Sequence, residues 1–373
     1  MKTKYTSSED SAYIARALEI AKKGLGAVSP NPLVGAVLVK NNEIIGEGYH
    51  HGFGLAHAEI EAIADAKKND KDIRGAVLYV TLEPCSHEIP HKKTPPCVPV
   101  LVSSGIERVV CSMIDPNPDV SGRGIRLLKR EKIETVVGCL EKEAQELNKG
   151  FVETMTKKRP FVAVKVATSL DGKIATKTGE SKWITCKESR DSVHEMRDKF
   201  DAILVGRGTV MADNPRLKGE QTEPLRIILD SKLQTPITAH VYETPKALVF
   251  TTKAASTAKI AVFKRAAVDV VVLPEISLKR VLKELTSRGI LSLLIEGGSK
   301  IFGSAFDEDV VNRIYWYTAP IVIGGADGVS AVSGDGIKSL KNAKKYKWVS
   351  CAQSADDIIM TLDRKTDSFG RFA

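Results

Sequence analysis

The chain has no long apolar run and few cysteines. None of its 373 residues belongs to an uninterrupted apolar stretch of the roughly 18 residues that a transmembrane helix needs. The first residues, MKTKY, are followed by polar ones and lack the apolar core of a secretory signal, so we expect a cytoplasmic protein with no membrane partner. Six scattered cysteines exclude a disulfide framework. In a reducing compartment they are metal ligands, nucleophiles or core residues.

Acidic residues are fewer than basic residues in only one half of the chain. The formal net charge is +9, yet residues 1–150 carry 20 basic and 20 acidic residues, so the whole surplus lies in residues 151–373. A basic surplus favours anionic ligands, either nucleic acid or phosphorylated small molecules. Aromatic residues make up only 6% of the chain and are not interleaved with the basic runs, so we expect no nucleic-acid partner.

Hydrophobic periodicity predicts two α/β domains, because strands and helices alternate and the pattern restarts after the charged break at residues 157–160. We place the domains at residues 1–150 and 151–373. The predicted helices are 8–24, capped by Ser7 or Ser8, 57–67, 122–131, 140–155 and 277–288. The predicted strands are 33–39, 43–48, 76–80, 108–113, 133–137, 161–167, 202–206, 225–229, 247–251, 268–273, 291–295 and 312–317.

One group of residues has the composition of a catalytic zinc site. His57, Cys85 and Cys97 supply the three nitrogen and sulfur donors that such a site uses, which leaves a fourth position for water. Glu59 can carry the proton of that water to the substrate. His-x-Glu followed by Pro-Cys is the pattern of zinc nucleobase deaminases, in which the glutamate is not a ligand.

The spacing of this group leaves alternatives open. Eleven residues separate Cys85 from Cys97, where the common pattern has Cys-x-x-Cys. His87 and His91 compete as zinc ligands, and a fourth protein ligand would make the zinc structural. The remaining alternative is a surface histidine cluster beside buried cysteines. The other four cysteines, Cys111, Cys139, Cys186 and Cys351, lack a nearby partner and are interpreted as structural.

Longer motifs extend beyond the zinc ligands. The first half resembles the deaminase domain of the bifunctional deaminase–reductases of riboflavin biosynthesis, through residues 29–37 (SPNPLVGAV), 48–50 (GYH), 57–59 (HAE), 81–87 (TLEPCSH) and 93–97 (KTPPC). The second half is similar to their reductase domain at 165–175 (KVATSLDGKIA), 183–185 (WIT), 201–206 (DAILVG), 208–210 (GTV), 213–215 (DNP) and 296–298 (EGG). The resemblance implies a cytidine-deaminase-like three-layer domain followed by a dihydrofolate-reductase-like α/β domain.

The same resemblance implies two consecutive reactions. Zinc-dependent hydrolysis removes an amino group from 2,5-diamino-6-(5-phosphoribosylamino)pyrimidin-4-one, and NADPH then reduces the ribosyl arm to ribityl. The partner is therefore a phosphorylated pyrimidine, and the protein is expected to be a homo-oligomer. Asn31, His50, His87 and Lys93 match positions that contact the deaminase substrate. The alternatives are a turn residue for Asn31, a strand-end surface residue for His50 and a solvated loop charge for Lys93.

In the reductase half, the resemblance implies NADPH contacts from Ala167, Trp183, Thr209, Asp213, Ser231, Gly298, Ser299, Lys300, Ile301, Phe302, Gly303 and Ser304. Residues 298–304 follow a predicted strand and open a helix, so their amides can meet phosphates. Substrate contacts are implied for Ser181, Arg197, Leu217 and Glu296. For Arg197 a helix-surface salt bridge, and for Trp183 a place in the core, are the alternatives.

Two departures from the family pattern stand out. The segment between Cys85 and Cys97 is longer than in the family, through residues 88–91. After Leu217 the family has Thr-x-Arg, whose arginine holds the substrate phosphate, whereas this chain has Lys218-Gly219-Glu220. Lys218 or Arg226 would have to replace it. Lys218 would do so as a point charge, without the bidentate hydrogen bonds of a guanidinium.

The missing arginine leaves a deaminase fused to a catalytically silent ligand-binding module as one alternative. A deaminase acting on bases in nucleic acid is the other, and the neutral first half disfavours it.

Overall fold

The computed structural model describes residues 7–86 and 94–365. The chain forms two compact units, Met1–Arg159 and Pro160–Ala373. The boundary expected from the sequence, after residue 150, falls inside a helix of the first unit, Lys149–Lys157. No helix in the described ranges is long and apolar enough to cross a membrane.

The first unit is a five-stranded sheet between helices. Its strands are β1 (Gly35–Lys40), β2 (Glu43–Tyr49), β3 (Val77–Leu82), β4 (Arg108–Met113) and β5 (Glu134–Val137). Its helices are α1 (Ser8–Ala21), α2 (Ala58–Lys68), α3 (Cys97–Ser103), α4 (Arg123–Arg130), α5 (Glu141–Leu147) and α6 (Lys149–Lys157), with a 3-10 turn at Lys22–Gly24. The sheet order is β2-β1-β3-β4-β5, in which β1 is antiparallel to both neighbours and β3, β4 and β5 are parallel.

Alternation along the strands creates the three layers of this unit. Ala36 and Leu38 of β1 point into a core shared with α2, α3 and α4. Tyr79 of β3 points the other way and hydrogen bonds to α1. The start of α1 is fixed by a capping box, because Ser7 Oγ accepts from the Asp10 amide and the Asp10 carboxylate accepts from the Ser7 amide.

The second unit is a larger α/β layer structure. Its strands are β6 (Phe161–Thr168), β7 (Lys173–Ala175), β8 (Ala202–Gly206), β9 (Leu225–Leu229), β10 (Ala247–Thr252), β11 (Asp269–Leu273), β12 (Ser292–Gly297), β13 (Arg313–Thr318), β14 (Val329–Ser330), β15 (Tyr346–Ser354) and β16 (Asp357–Arg364). Its helices are α7 (Lys187–Arg197), α8 (Arg207–Asp213), α9 (Thr257–Arg265), α10 (Leu278–Ser287) and α11 (Ser299–Asp307), with 3-10 turns at His240–Tyr242 and Leu340–Asn342.

The main sheet of this unit has the order β11-β10-β9-β8-β12-β6-β13-β16-β15. The strands from β11 to β13 are parallel, and β16 and β15 add an antiparallel edge. One face packs against α7, α8 and α9, and the other against α10 and α11. In such open sheets, ligands bind at the carboxyl ends of the strands where the strand order reverses, and β12 ends between β8 and β6 at such a point.

The structure departs from the sequence predictions in several elements. The single helix expected at 140–155 is two helices, because Asn148 turns inward and its amide pairs with both backbone groups of Leu33. Strands β15 and β16 were not predicted, since most residues of β15 are exposed and show no two-residue alternation. Cys111 is buried as expected, and of the other cysteines interpreted as structural, Cys139 is buried, Cys186 is half-buried and Cys351 on β15 is exposed.

A buried ion pair joins α1 to β4. Asp10 is only 1% exposed and accepts hydrogen bonds from both terminal nitrogens of Arg108, at 2.8 and 2.9 Å. Tyr79 also donates to it, at 3.2 Å. Burial would raise the pKa of Asp10, but the hydrogen bond from Arg108 and its charge outweigh burial and hold that pKa below its ordinary value. The stabilisation from this carboxylate is therefore present above the pKa of the unfolded chain and is lost as pH falls through the lower folded value.

We predict that Arg108→Gln lowers the free energy of unfolding of the first unit by about 3 kcal/mol at pH 7, because it leaves a buried carboxylate without its cation. Urea titration followed by circular dichroism measures this. Arg74→Gln is the matched control, since Arg74 is exposed and pairs with exposed Asp72, and it should cost less than about 1 kcal/mol. Equal losses in the two variants would contradict the prediction, as would an Arg108→Gln effect that fails to shrink in acid.

Candidate functional site

Three donor atoms converge in the first unit. His57 is the residue before α2, Cys97 is the first residue of α3, and Cys85 follows β3. Their ligand atoms all lie within 4.8 Å of one another. His57 Nδ1 is 3.4 Å from Cys85 Sγ and 3.2 Å from Cys97 Sγ, and the Cys97 amide donates to Cys85 Sγ at 3.2 Å. This set of one nitrogen and two sulfurs fits zinc, and three protein ligands leave a coordination position open.

The orientation of the histidine fixes which nitrogen binds metal. Nδ1 of His57 faces the two sulfurs, whereas Nε2 lies 3.1 Å from Thr94 Oγ1. A metal held by Nδ1 requires the ring proton on Nε2, where it can be donated to the threonine hydroxyl. Thr94 is therefore in the position of a residue that orients a metal ligand through its second nitrogen.

Glu59 lies beside the donor cluster in the first turn of α2. It is only 3% exposed and interacts with Cys97 through a side-chain hydrogen bond. Burial raises the pKa of Glu59, and the negative charge of Cys85 raises it further. A buried carboxyl group with a raised pKa next to a metal site is suited to accepting and returning protons.

Backbone amides hold the segment that carries Cys85. Glu83 is buried, and its carboxylate accepts from the amides of Asp115, Gly122, Gly124 and Ile125 at 3.1, 2.8, 2.7 and 3.3 Å. These amides belong to the loop before α4 and to its first turn. The approach is close, because a Cβ at Gly124 would lie 2.1 Å from the Pro84 carbonyl oxygen.

Asn31 and His50, both predicted to contact substrate, lie next to each other. Asn31 Nδ2 is 2.9 Å from His50 Nε2, and His50 Nδ1 is 2.9 Å from the Ala56 carbonyl oxygen. The carbonyl can only accept, so the His50 proton is on Nδ1 and Nε2 accepts from the Asn31 amide. Burial lowers the pKa of His50, in agreement with a neutral ring. His50 also packs edge-on against His57, with 5.7 Å between ring centroids.

His87, His91 and Lys93 lie outside the described residues.

In the second unit, charged side chains meet at the carboxyl end of β12. The Arg197 guanidinium of α7 donates to both carboxylate oxygens of Glu296, at 2.6 and 2.9 Å. This bidentate pair joins a helix to a central strand and is largely buried, so it is not a helix-surface salt bridge. Burial would raise the pKa of Glu296, but Arg197 and Lys165 hold it below its ordinary value. Lys165, on β6, was not among the predicted site residues. The motif that contains it predicts only that it belongs to a strand.

The segment predicted to bind NADPH begins where β12 meets α11. Thr209 of α8 lies against it, since a Cβ at Gly298 would be 3.5 Å from Thr209 Oγ1. Ile301 packs on Gly206 at the end of β8. Phe302 and Gly303 instead face inward, and a Cβ at Gly303 would be 2.0 Å from the Ser333 carbonyl oxygen. The first turn of α11 thus presents its amides at the carboxyl end of β12, while the side chains further along the helix pack into the core of the unit.

The remaining predicted reductase residues fall into three environments. Ser181 Oγ donates to Asp213 at 3.0 Å, which brings these two together. Trp183 is 68% exposed, with the Arg190 guanidinium 4.4 Å from its ring centroid, so it is not a core residue. The Leu217 side chain is buried in the core, which leaves only its backbone for a ligand. Ala167 lies on β6 against the core, and Ser231 is exposed just after β9.

The two cations considered as replacements for the missing arginine differ in availability. Arg226 is only 1% exposed, and its guanidinium is held by the carbonyl oxygens of Thr244 and Lys246, so the idea that it holds phosphate is wrong. Lys218 is partly exposed and pairs with Glu223 at 3.0 Å. Its carbonyl oxygen accepts from Arg197, which places Lys218 beside the Arg197–Glu296 pair.

The fold and the donor cluster define a zinc-dependent deaminase of the cytidine type, fused to a reductase of the dihydrofolate-reductase type. Family models agree with this class. Residues 7–113 match the cytidine and deoxycytidylate deaminase zinc-binding region, and residues 160–360 match the RibD C-terminal domain. The chain belongs to the RibD family of riboflavin biosynthesis proteins.

Individual relatives match over nearly the whole chain. It is 41% identical to riboflavin biosynthesis protein RibD of Actinobacillus pleuropneumoniae, over 95% of this chain and 96% of the relative. It is 42% identical to RibD of Bacillus amyloliquefaciens, over 96% and 97%.

Solved structures give the same result. A diaminohydroxyphosphoribosylaminopyrimidine deaminase/5-amino-6-(5-phosphoribosylamino)uracil reductase from Thermotoga maritima matches with a TM-score of 0.84 and 40% identity, over 96% of this chain and 99% of that one. Acinetobacter baumannii RibD matches with a TM-score of 0.84 and 33% identity, over the same shares. The protein is therefore a bifunctional enzyme of riboflavin biosynthesis that uses zinc and NADPH.

We predict that Thr94→Val weakens zinc binding about tenfold or more, because it removes the hydroxyl that orients His57 while keeping the shape of the side chain. Competition with a chromophoric chelator measures the affinity. Thr94→Ser keeps a hydroxyl and is the matched control, which should bind zinc nearly as tightly as the parent protein. If the valine variant retains the parent affinity, the contact from Thr94 to His57 does not support the metal.

Proposed function

We propose that the first unit hydrolyses the 2-amino group of 2,5-diamino-6-(5-phosphoribosylamino)pyrimidin-4-one and that the second unit reduces the ribosyl arm of the product to ribityl with NADPH. The observation that carries the proposal is the placement of Glu59 against three zinc donors in a unit of this family. The Thermotoga maritima relative, similar along almost its entire length, is described as an enzyme with both activities.

In the deaminase unit, His57, Cys85 and Cys97 would hold the zinc ion. When bound, zinc lowers the pKa of a coordinated water so that hydroxide is available near neutral pH. As a water oxygen adds to C2 and the ring C2=N double bond opens, Glu59 would take one proton of that water and pass it to the ring nitrogen. Glu59 would then carry the remaining hydroxyl proton to the amino nitrogen, which would leave as ammonia when its bond to C2 breaks and the C2 carbonyl forms. The buried setting of Glu59 keeps bulk water from competing for that proton.

Asn31 and His50 would act in substrate binding as a pair. Because His50 Nε2 accepts from Asn31 Nδ2, the amide of Asn31 is held in one orientation. Its oxygen stays available to accept a hydrogen bond from an N–H on the pyrimidine edge. His50 thus positions Asn31. The roles of His87 and Lys93 at the substrate stay predictions from the resemblance.

In the reductase unit, the amides at the start of α11 and the neighbouring Thr209 are suited to cofactor phosphates. NADPH, when bound, supplies the hydride. Glu296 lies at the strand end between two cations that keep it ionised, where it can orient the substrate. The Lys218 backbone adjoins Arg197, and its ammonium, which pairs with Glu223, would have to turn to the substrate phosphate to replace the family arginine. The homo-oligomeric state and the cytoplasmic location expected from the sequence stay predictions.

We predict that purified protein carries about one zinc per chain, as a three-donor site requires, and that Glu59→Gln keeps the metal while slowing deamination at least about 100-fold, the usual contribution of a general acid–base group. Metal analysis and ammonia release measure the two properties. Glu61→Gln, on the same helix but away from the donor cluster, is the control and should retain activity. Loss of zinc with retained turnover in Glu59→Gln would reverse the assignment of its role.

We predict that Arg197→Gln lowers the kcat/KM of reduction about tenfold or more, because it removes a charged hydrogen-bond partner from Glu296. The assay supplies the deaminated intermediate and follows the loss of NADPH absorbance. Arg216→Gln is the control, since Arg216 lies in the same unit and pairs with exposed Glu243. Deamination should be unaffected in both variants. If the parent protein oxidises no NADPH with this intermediate, the second unit is a silent binding module.

A further inference from the structure

Helix α4 carries an arginine face that the reactions described above do not use. Ile125 and Leu128 of this helix are buried in the core of the first unit. Arg123, Arg126 and Arg130 are all exposed and follow a spacing of three and four residues, which places them on one face. The helix contains no acidic residue. Like charges at this spacing repel, so the arrangement costs stability unless an anion lies nearby.

This face forms one wall of a cavity. The three arginines, Leu127 and Ser86 line an open pocket of about 370 Å³. Ser86 directly follows the zinc-ligand candidate Cys85. The cavity therefore lies one residue along the chain from the donor cluster.

The two walls are fixed relative to each other. Glu83 accepts from the amides of Gly122 and Gly124, and Gly124 touches the Pro84 carbonyl, so the start of α4 is bonded to the segment that ends in Ser86. A basic helix face is usually only a solvated surface. This one differs because it is concave and rigidly joined to the chain that carries a metal ligand.

The charges in the cavity are only partly balanced. Arg130 pairs with Glu131 at 3.3 Å. Within residues 7–86 and 94–365, Arg123 and Arg126 make no ion pair. The first half of the chain has no net charge, so this cluster is a local concentration of positive charge and not part of a general surplus. Guanidinium groups bind phosphate oxygens in pairs, and the Ser86 hydroxyl adds a donor.

We propose that Arg123, Arg126, Arg130 and Ser86 form a phosphomonoester-binding site beside the deaminase centre, and that its ligand is the phosphate arm of the deaminase substrate. This proposal rests on the proposed deaminase function. A separate phosphorylated small molecule has the same chemistry, and the experiment distinguishes the two sources.

The test compares the zinc-loaded full-length protein with the double variant Arg126→Gln/Arg130→Gln. Lys129→Gln is the matched control, because it removes a positive charge from the same helix but Lys129 does not line the cavity. Deamination is measured with the phosphorylated pyrimidine and with its dephosphorylated form. Binding of inorganic phosphate is measured by calorimetry, as the difference between the parent and each variant.

For a substrate-phosphate site, the double variant raises KM for the phosphorylated pyrimidine about tenfold or more, since charged hydrogen bonds are lost. KM for the dephosphorylated form and kcat stay unchanged, inorganic phosphate competes with substrate in the parent protein, and Lys129→Gln behaves like the parent. If the double variant keeps the parent KM but loses phosphate binding, the substrate arm is not the ligand. The phosphomonoester site then binds a separate phosphorylated molecule.

The proposal is overturned if the double variant keeps both the parent KM and the parent phosphate binding. Failure of the deaminase function itself has a different signature. The parent protein, loaded with zinc, would then release ammonia from neither pyrimidine, while the calorimetric comparison of the parent with the double variant would still report on the arginine cavity.

Discussion

The geometry of the first unit depends on the buried carboxylate of Glu83. Four backbone amides, in the loop before α4 and in its first turn, would lose their hydrogen-bond partner if this side chain were absent, and buried amides without partners are costly. The same carboxylate lies two residues before Cys85. One interaction therefore satisfies a helix terminus and fixes the position of a metal ligand. Gly124 is required for this arrangement, because any side chain there would collide with Pro84.

The second unit uses a charge pair for a comparable purpose. Glu296 lies near the carboxyl end of β12 at the centre of the sheet, and its two carboxylate oxygens accept hydrogen bonds from Arg197 of α7. Isolated, such a buried carboxylate would be protonated or unstable. Paired, it stays ionised at the strand edge, which is where the cofactor segment also begins. The site chemistry and the packing of α7 on the sheet are therefore coupled, and a change in one alters the other.

The sequence predicted the part of the site that depends on chemical type. Donor type gave His57, Cys85 and Cys97, the His-x-Glu pattern gave Glu59, and alternation gave nearly all the strands up to β13. It could not give contacts that depend on packing. The pairing of Asn31 with His50, the burial of Arg226 and the division of the helix at Asn148 follow from three-dimensional neighbours that periodicity does not contain. The exposed strand β15 has no two-residue alternation to detect.

The unusual spacing of the two cysteines is explained by how each one is held. Cys85 is placed by the Glu83 anchor behind it, and Cys97 is placed by being the first residue of α3. The Cys97 amide donates to Cys85 Sγ, and the Val98 amide donates to the Cys85 carbonyl oxygen, so the start of α3 is bonded directly to the other ligand. These bonds do not involve the residues between Cys85 and Cys97. The number of intervening residues can therefore change while the donor triangle with His57 is kept, which is why the type of donor predicted the metal site and the Cys-x-x-Cys spacing did not.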